Sequence, residues 1–366
     1  MQNEILYQLA LTLIPQIGPV QAKILLAHFG NASAILQAKA GHLKNIEGIG
    51  ESRAYSIKNF SGFQRAEEEL NFIEKYGIRP LFLTDPAYPQ RLLNCYDSPT
   101  LLFYKGNADL NISRIVAIIG TRNHTEYGKQ LTDKLVRGLI AQGVLVISGL
   151  AYGIDALAHK NALKHAIPTV GVLAHGLDQV YPAFHSALAK DMIRNGGLLT
   201  EYWSGTDPDK HNFPTRNRIV AGMSDATIVI ETGSKGGSMI TAELANGYNK
   251  DVFAYPGRVT DHKSEGCNQL IRQNKAMLIT EPNDLLEIMG WIEVKKTKPA
   301  LQKEIFIELS ENEKIILGIL KEKENTHIDE INLKANLSSS AVAAAILNLE
   351  LQNIIASLPG KMYSLQ

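Results

Sequence analysis

Three features of the 366-residue sequence predict an α/β fold built on a doubly wound, Rossmann-like parallel sheet. Short β-branched apolar runs recur from residue 114 onward, amphipathic stretches of helical length separate them, and a glycine-bearing turn closes most of the runs. Strands that alternate with helices pair in parallel, and such sheets bind ligands at the carboxyl ends of their strands, where these turns gather. Helical segments precede and follow the alternation. An N-terminal helix-hairpin-helix (SAM-like) domain and a C-terminal winged-helix domain are therefore expected to flank the sheet.

Residues 3–60 are helical in pattern and carry two similar punctuations, IPQIGPVQAKIL at 14–25 and IEGIGESRAYSI at 46–57. In each, an apolar-x-x-apolar-Gly turn precedes a helix and aims its N-terminal amides outward, an arrangement that suits phosphate. Basic residues are sparse here (Lys23, Lys44, Arg53, Lys58), so packing or partner binding is an equal expectation. Residues 65–112 hold two short apolar runs between Pro-rich turns, expected as edge strands.

The alternation proper begins with RIVAIIGT at 114–121, a strand, and a helix closed by Gly143. Strands follow at 144–149, 169–176 and 198–202, with helices between them, the last over 187–195. ATIVIETG at 226–233 reads as a buried strand; beyond it Gly236 and Gly237 permit close backbone approach, and Ser238 or Thr241 is expected to cap a helix running to Tyr248. DVFAYPG at 251–257, a helix carrying Arg272 and Lys275, a last strand and a final helix over EPNDLLEIMGW complete the domain. A basic, proline-bearing linker spans 295–303. Three helices and a Pro-Gly hairpin from 310 to 366 describe a winged helix. Its third helix, 338–352, has no Lys or Arg and carries Glu350, so partner docking or packing is expected ahead of duplex reading. The expected domains are residues 1–64, 65–292 and 306–366.

Composition narrows the function. Thirty-seven basic and 37 acidic side chains balance, so any nucleic-acid contact must come from a local patch. Cys95 and Cys267 stand far apart, without metal spacing or a disulfide framework, and suit a reducing cytoplasm as small buried hydrophobes. No basic leader and no apolar run of about 20 residues is present, so neither export nor a membrane partner is expected. The first glycine turn, GTRNHTEYG, is not G-x-G-x-x-G, and no G-x-x-x-x-G-K-[ST] occurs. Nicotinamide, flavin and P-loop ATP chemistry are thus not expected, and no cofactor is. His159, His165 and His175 read as helix and strand-end residues rather than metal ligands.

The candidate site centres on KHNFPTRNR, where Lys210, Arg216 and Arg218 surround Phe213. A single strand needs cations for its backbone and a π-face for its bases, and this cluster offers both. Gly120 with Arg122, Gly149, and Lys235 with Gly236 and Gly237 follow apolar runs and should line the same crevice. Phe213 as a core aromatic, with Arg216 and Arg218 paired to Asp225 or Glu231, is the plainer alternative. Asp155 is expected to cap its own loop, with contact to a ligand as the alternative.

IIGTR with Tyr127-Gly128, SGLAYGIDALAHK, TVGVLAHGLDQVYP, GGLLTEY, FPTRNRIVAGMSDATIVIETGSKGGSMITAELA and GCNQLIRQNKA, taken in order, resemble the DNA-processing protein A (DprA/Smf) family over residues 81–279. The resemblance implies a non-enzymatic, homodimeric single-stranded DNA binder of natural transformation. Such a protein protects incoming DNA, loads the RecA recombinase and pairs through the Rossmann-like domain. It implies strand contacts at Arg122, Lys210 and Phe213. His185 departs from the pattern, where relatives commonly carry Asn. A second resemblance carries a second expectation. ETGSKGGSMITAE at 231–243 is similar to the glycine-rich loop of nucleotide phosphoribohydrolases, with Glu231 and Glu243 as acid and base candidates, although Lys235 interrupts that loop's pattern.

Overall fold

The computed structural model describes residues 2–292, 309–323, 325–352, 354–358 and 360–365. The chain forms two compact units, residues 1–292 and 293–366. The basic linker at 295–303 lies outside the described residues.

The first unit opens with α1 (Gln2–Leu13), α2 (Pro19–Phe29), α3 (Ala32–Gln37), α4 (Ala40–Lys44), α5 (Gly50–Lys58) and α6 (Phe63–Tyr76). Both expected hairpins form. Ile14 and Ile17, and Ile46 and Ile49, are the buried apolar pairs of the two turns. Gly18 precedes Pro19 at the first position of α2, where a missing N–H costs nothing, and its own N–H donates to Gln21 Oε1 at 3.2 Å. The charged helix α6 was not expected in the 65–112 segment, and the boundary expected at residue 64 falls inside it. α6 packs against α1 and ends at Gly77 with φ 60°, a left-handed cap that glycine adopts freely.

The chain then runs through β1 (Arg79–Phe82), α7 (Gln90–Leu93), β2 (Leu101–Gly106), β3 (Arg114–Ile119), α8 (Glu126–Gly138), β4 (Val144–Ser148), α9 (Ile154–Lys164) and β5 (Thr169–Val172). It continues with α10 (Ser186–Arg194), β6 (Gly196–Thr200), α11 (Asn212–Met223), β7 (Ala226–Val229), α12 (Gly237–Gly247), β8 (Asp251–Ala254), α13 (Glu265–Arg272), β9 (Met277–Leu278) and α14 (Pro282–Ile288). The nine strands form one sheet in the order β1-β2-β6-β5-β4-β3-β7-β8-β9. Strands β6 through β9 are mutually parallel, while β1 and β2 extend the sheet antiparallel beyond β6. β1 is an edge strand as expected; β2 is interior.

Strand periodicity divides the core. Ile115, Ala117 and Ile119 of β3 join an apolar cluster that also holds Leu9, Leu25 and Ile57 of the helical layer. Val116 and Ile118 face the opposite cluster with Leu135, Ala158 and Leu285. Helices thus cover both faces of a parallel sheet, the doubly wound arrangement. Chain order reverses at β3, which lies between β4 and β7, and a sheet of this kind opens its ligand crevice at such a point.

The second unit comprises α15 (Glu311–Glu322), β10 (Thr326–His327), α16 (Ile328–Ala335), α17 (Ser339–Leu351), β11 (Ile355–Leu358) and β12 (Met362–Leu365). Its strands pair antiparallel in the order β10-β12-β11, and Ile316, Ile331, Val342 and Leu349 form its core. This is a winged helix. Ser338 caps α17 by accepting from Ala341 N–H at 3.3 Å.

Candidate functional site

A crevice of about 1030 Å³ opens at the switch point. Gly120 follows β3 on one side of it, and the loop after β7, from Thr232 to Gly236, forms the other. The two sides are tied together, since Thr121 N–H donates to Glu231 O at 2.7 Å and Ile154 N–H to Thr121 O at 3.2 Å. Arg122, Lys210 and Lys235 line the crevice and are exposed. Phe213, in the first turn of α11, is half-buried between the crevice and the fold. The Arg122 guanidinium lies 5.4 Å from its ring centroid, a cation–π distance, and the Tyr181 ring lies 6.0 Å away. The first turn of α12 completes the wall. Its N-terminal amides and dipole favour an anion.

That helix starts differently from expectation. Gly236 holds the N-cap position without a side-chain cap; Ser238 Oγ instead lies 2.7 Å from Thr232 Oγ1, and Thr241 Oγ1 donates to Gly237 O at 3.0 Å. A glycine at the cap leaves the turn open to a ligand. Asn217 Nδ2 donates to Gly237 O at 3.2 Å and fixes the turn against α11.

Arg216 borders the crevice but is buried within it, 4% exposed. Its Nη1 donates to Gly149 O at 2.6 Å and to Val172 O, and its Nε donates to Asn217 Oδ1 at 3.2 Å. Burial holds its pKa down to about 10, and nearby Asp155 works against that. Asp155 is buried as well. Desolvation raises its pKa, while its Oδ2 accepts from Gly149 N–H at 3.1 Å, the loop-capping role expected of it. A Cβ on Gly149 would strike both side chains, so only glycine fits between them. Arg216 is therefore a strut joining the carboxyl ends of β4 and β5, where an exposed strand contact was expected.

Arg218 does not line the crevice. It pairs with Glu201, just past β6, and the partners considered for it are engaged elsewhere: Asp225 holds Arg91 at 2.6 Å. Glu231 is buried and accepts from Thr125 N–H at 2.8 Å and Thr125 Oγ1 at 2.7 Å, fixing the start of α8. Both its oxygens are thus spent on structure. Glu243 is exposed at the crevice and faces Lys275 Nζ at 3.3 Å. Of the two carboxylates considered as acid and base, only Glu243 lines the crevice. Among the described residues, no group of three His, Cys, Asp or Glu residues could hold a metal ion, and no helix is long and apolar enough to cross a membrane. Tyr181 was not among the residues singled out; a tyrosine before proline in a turn after a strand was the available signal.

Comparison with known proteins bears on this geometry. Residues 79–290 match the family model of DNA recombination-mediator protein A, residues 7–69 that of the helix-hairpin-helix motif, and residues 305–361 that of the DprA winged helix domain. Protein Smf of Synechocystis is 32% identical over 99% of this chain and 98% of its own. DNA processing protein DprA of Streptococcus pneumoniae is 42% identical over 60% of this chain and 77% of its own. The X-ray structure of DprA from S. pneumoniae superposes with a TM-score of 0.66 and 33% identity, covering 78% of this chain and 97% of that one. A second structure, described as giving insights into the single-stranded DNA binding mode of DNA processing protein A from Helicobacter pylori, matches with a TM-score of 0.54 and 32% identity, over 59% of this chain and 96% of that one.

Proposed function

Because the chain belongs to the DNA recombination-mediator protein A family, we propose that it binds single-stranded DNA in the switch-point crevice. The observation that carries this reading is Phe213, half-buried under the Arg122 guanidinium, with Lys210 and Lys235 exposed around it and the open first turn of α12 beside them. Backbone phosphates meet the cations and the helix N-terminus, and a base stacks on the ring. Lys235, Gly120, Gly149, Gly236 and Gly237 shape the walls; Arg216 acts through the strands it braces, and Arg218 plays no direct part.

On this reading the protein acts by holding DNA rather than by turnover: Glu231 is committed to the α8 cap, and Glu243 stands alone of the two on the crevice wall, facing Lys275. We carry the reading further, to protection of incoming strands in natural transformation and loading of RecA in the cytoplasm; the family's description as a recombination mediator supports it. Pairing of two copies through the Rossmann-like domain is favoured by β9, a sheet-edge strand whose Met277 and Leu278 are exposed. The decisive measurement is a titration of the full chain with oligo-dT and with its annealed duplex at moderate salt. Clear preference for the single strand is expected. Equal affinity for both overturns the reading, as does release of base from nucleoside monophosphates that Glu243→Gln abolishes.

A further inference from the structure

The aromatic surface does not stop at the crevice. Tyr181 lines it and packs near Phe213, and the same loop, which follows β5, carries Phe184, a residue 77% exposed. The Phe184 ring lies 5.8 Å from that of His185, and Tyr152, exposed on the loop after β4, lies 5.2 Å from the same imidazole. β4 and β5 stand next to β3 on the side away from β7, so these rings lead from the switch point across two neighbouring strand ends.

Both loops are anchored from beneath. His185 is buried, with Nδ1 3.0 Å from Leu150 O, which joins the β5 loop to the β4 loop. Buried His175 accepts the Tyr181 N–H on Nε2 at 3.2 Å, while its Nδ1 lies 2.8 Å from Gly176 O. The rings thus stand on fixed supports, and a ligand that stacks on them orders little that is not ordered already.

The chemistry of the patch selects its occupant. On the loops that follow β4 and β5 the exposed large hydrophobic side chains are Tyr152, Tyr181 and Phe184, all aromatic; the exposed aliphatic Ile240 lies on α12, on the other wall of the crevice. A protein interface core mixes aliphatic and aromatic groups, whereas bases ask only for π-faces, and tyrosine hydroxyls can donate to phosphate. We propose that Tyr181, Phe184 and Tyr152 form a stacking track that takes the bases of a single strand as it leaves the crevice on the β4–β5 side. The track rests on the crevice being a single-strand site.

The test is a binding series on the full chain with oligo-dT from about 4 to about 20 nucleotides, a range that brackets common single-strand site sizes. Phe184→Ala, at a position too exposed to unfold the domain, should match the wild type on the shortest strands and fall behind by at least about fivefold on longer ones, the lower end of what one stacked base contributes. Phe184→Trp should restore the long-strand affinity, and the salt slope should not move. Phe213→Ala should lose affinity at every length. Phe184→Ala that follows the wild type at all lengths overturns the track and leaves the crevice standing. A uniform loss at all lengths overturns it too, because the ring would then belong to the crevice itself. A drop in sedimenting mass for Phe184→Ala, without a length-dependent loss, assigns the rings to contact with a second copy. Wild-type affinity of Phe213→Ala at every length removes the crevice's stacking role independently.

Discussion

Phe213 and Arg216 stand three residues apart and have opposite fates. Both face the crevice from α11, but Phe213 sits in the first turn at the rim, while Arg216, nearly one turn further in, is buried and reaches two backbone carbonyls. Phe213→Ala should therefore weaken oligo-dT binding by about 1–3 kcal/mol with an unchanged salt slope. Arg122→Ala and Lys210→Ala should each lower the slope by about 0.7 per neutralised phosphate. A fluorescence titration at several salt concentrations separates the two kinds of effect. Arg216→Ala should behave as a core mutation. It strands Gly149 O and Val172 O without their donor and costs about 3 kcal/mol in chemical denaturation, with affinity falling only as folded protein is lost. A stable Arg216→Ala protein with weakened binding would return Arg216 to the phosphate contacts. The sequence could show a cation beside an aromatic but not which cation was desolvated, because that depends on β4 and β5 lying side by side, a long-range fact.

Elements were legible where periodicity is strong. β3, β4 and β7 are buried on both faces and read as unbroken apolar runs, so their existence and parallel pairing followed from pattern alone. α6 escaped because FQRAEEELNFIEKY is dominated by charge, and its buried residues, Ala66, Glu69 and Ile73, include a glutamate that only a tertiary partner can justify. The start of α12 was misread because serine and threonine near a helix start suggest a cap, while here they bond Thr232 and Gly237. α14 shows a conventional start and gives a pH test. Asp284 Oδ2 accepts from Thr280 N–H at 2.7 Å and Glu281 N–H at 2.9 Å, and these amides hold its pKa below the usual 3.8. Its contribution is complete above 3.8 and is lost as pH falls through the lower folded value. Asp284→Asn should therefore make the acid-side decline of the melting temperature shallower below about pH 4. The effect is small, because the group is exposed and screened. Parallel curves for the two proteins would remove Asp284 from the acid response.

At the scale of the whole molecule, the helical hairpins, the parallel sheet and the winged helix were each visible in pattern, the last in three short helices followed by a Pro-Gly turn, yet the chain forms two compact units where three domains were expected. Not visible was that the N-terminal helices share one apolar cluster with the sheet, since that needs contacts between Leu9 or Leu25 and strands a hundred residues away. The second unit has its own core, and α17 presents Leu347 and Leu351 where a duplex reader would carry cations. Removing residues 304–366 should leave oligo-dT affinity nearly unchanged in a gel-shift assay, and a large loss would make the winged helix a DNA reader. The helical layer is also fastened to the sheet by polar contacts. Glu69, 1% exposed, receives Arg65 at 2.8 Å and the Ser204 N–H at 3.1 Å; Arg65 in turn donates to Ser204 O at 2.8 Å and covers Trp203 at 4.8 Å. On α2, Lys23 Nζ reaches Cys95 O at 2.7 Å. Ser204 lies six residues before Lys210 on the segment that delivers it. Under the proposed reading, tension on a strand held at Lys210 would run back along this segment to Ser204. There it would meet the buried Glu69 carboxylate of α6, and the load would pass into the helical layer as well as the short loop.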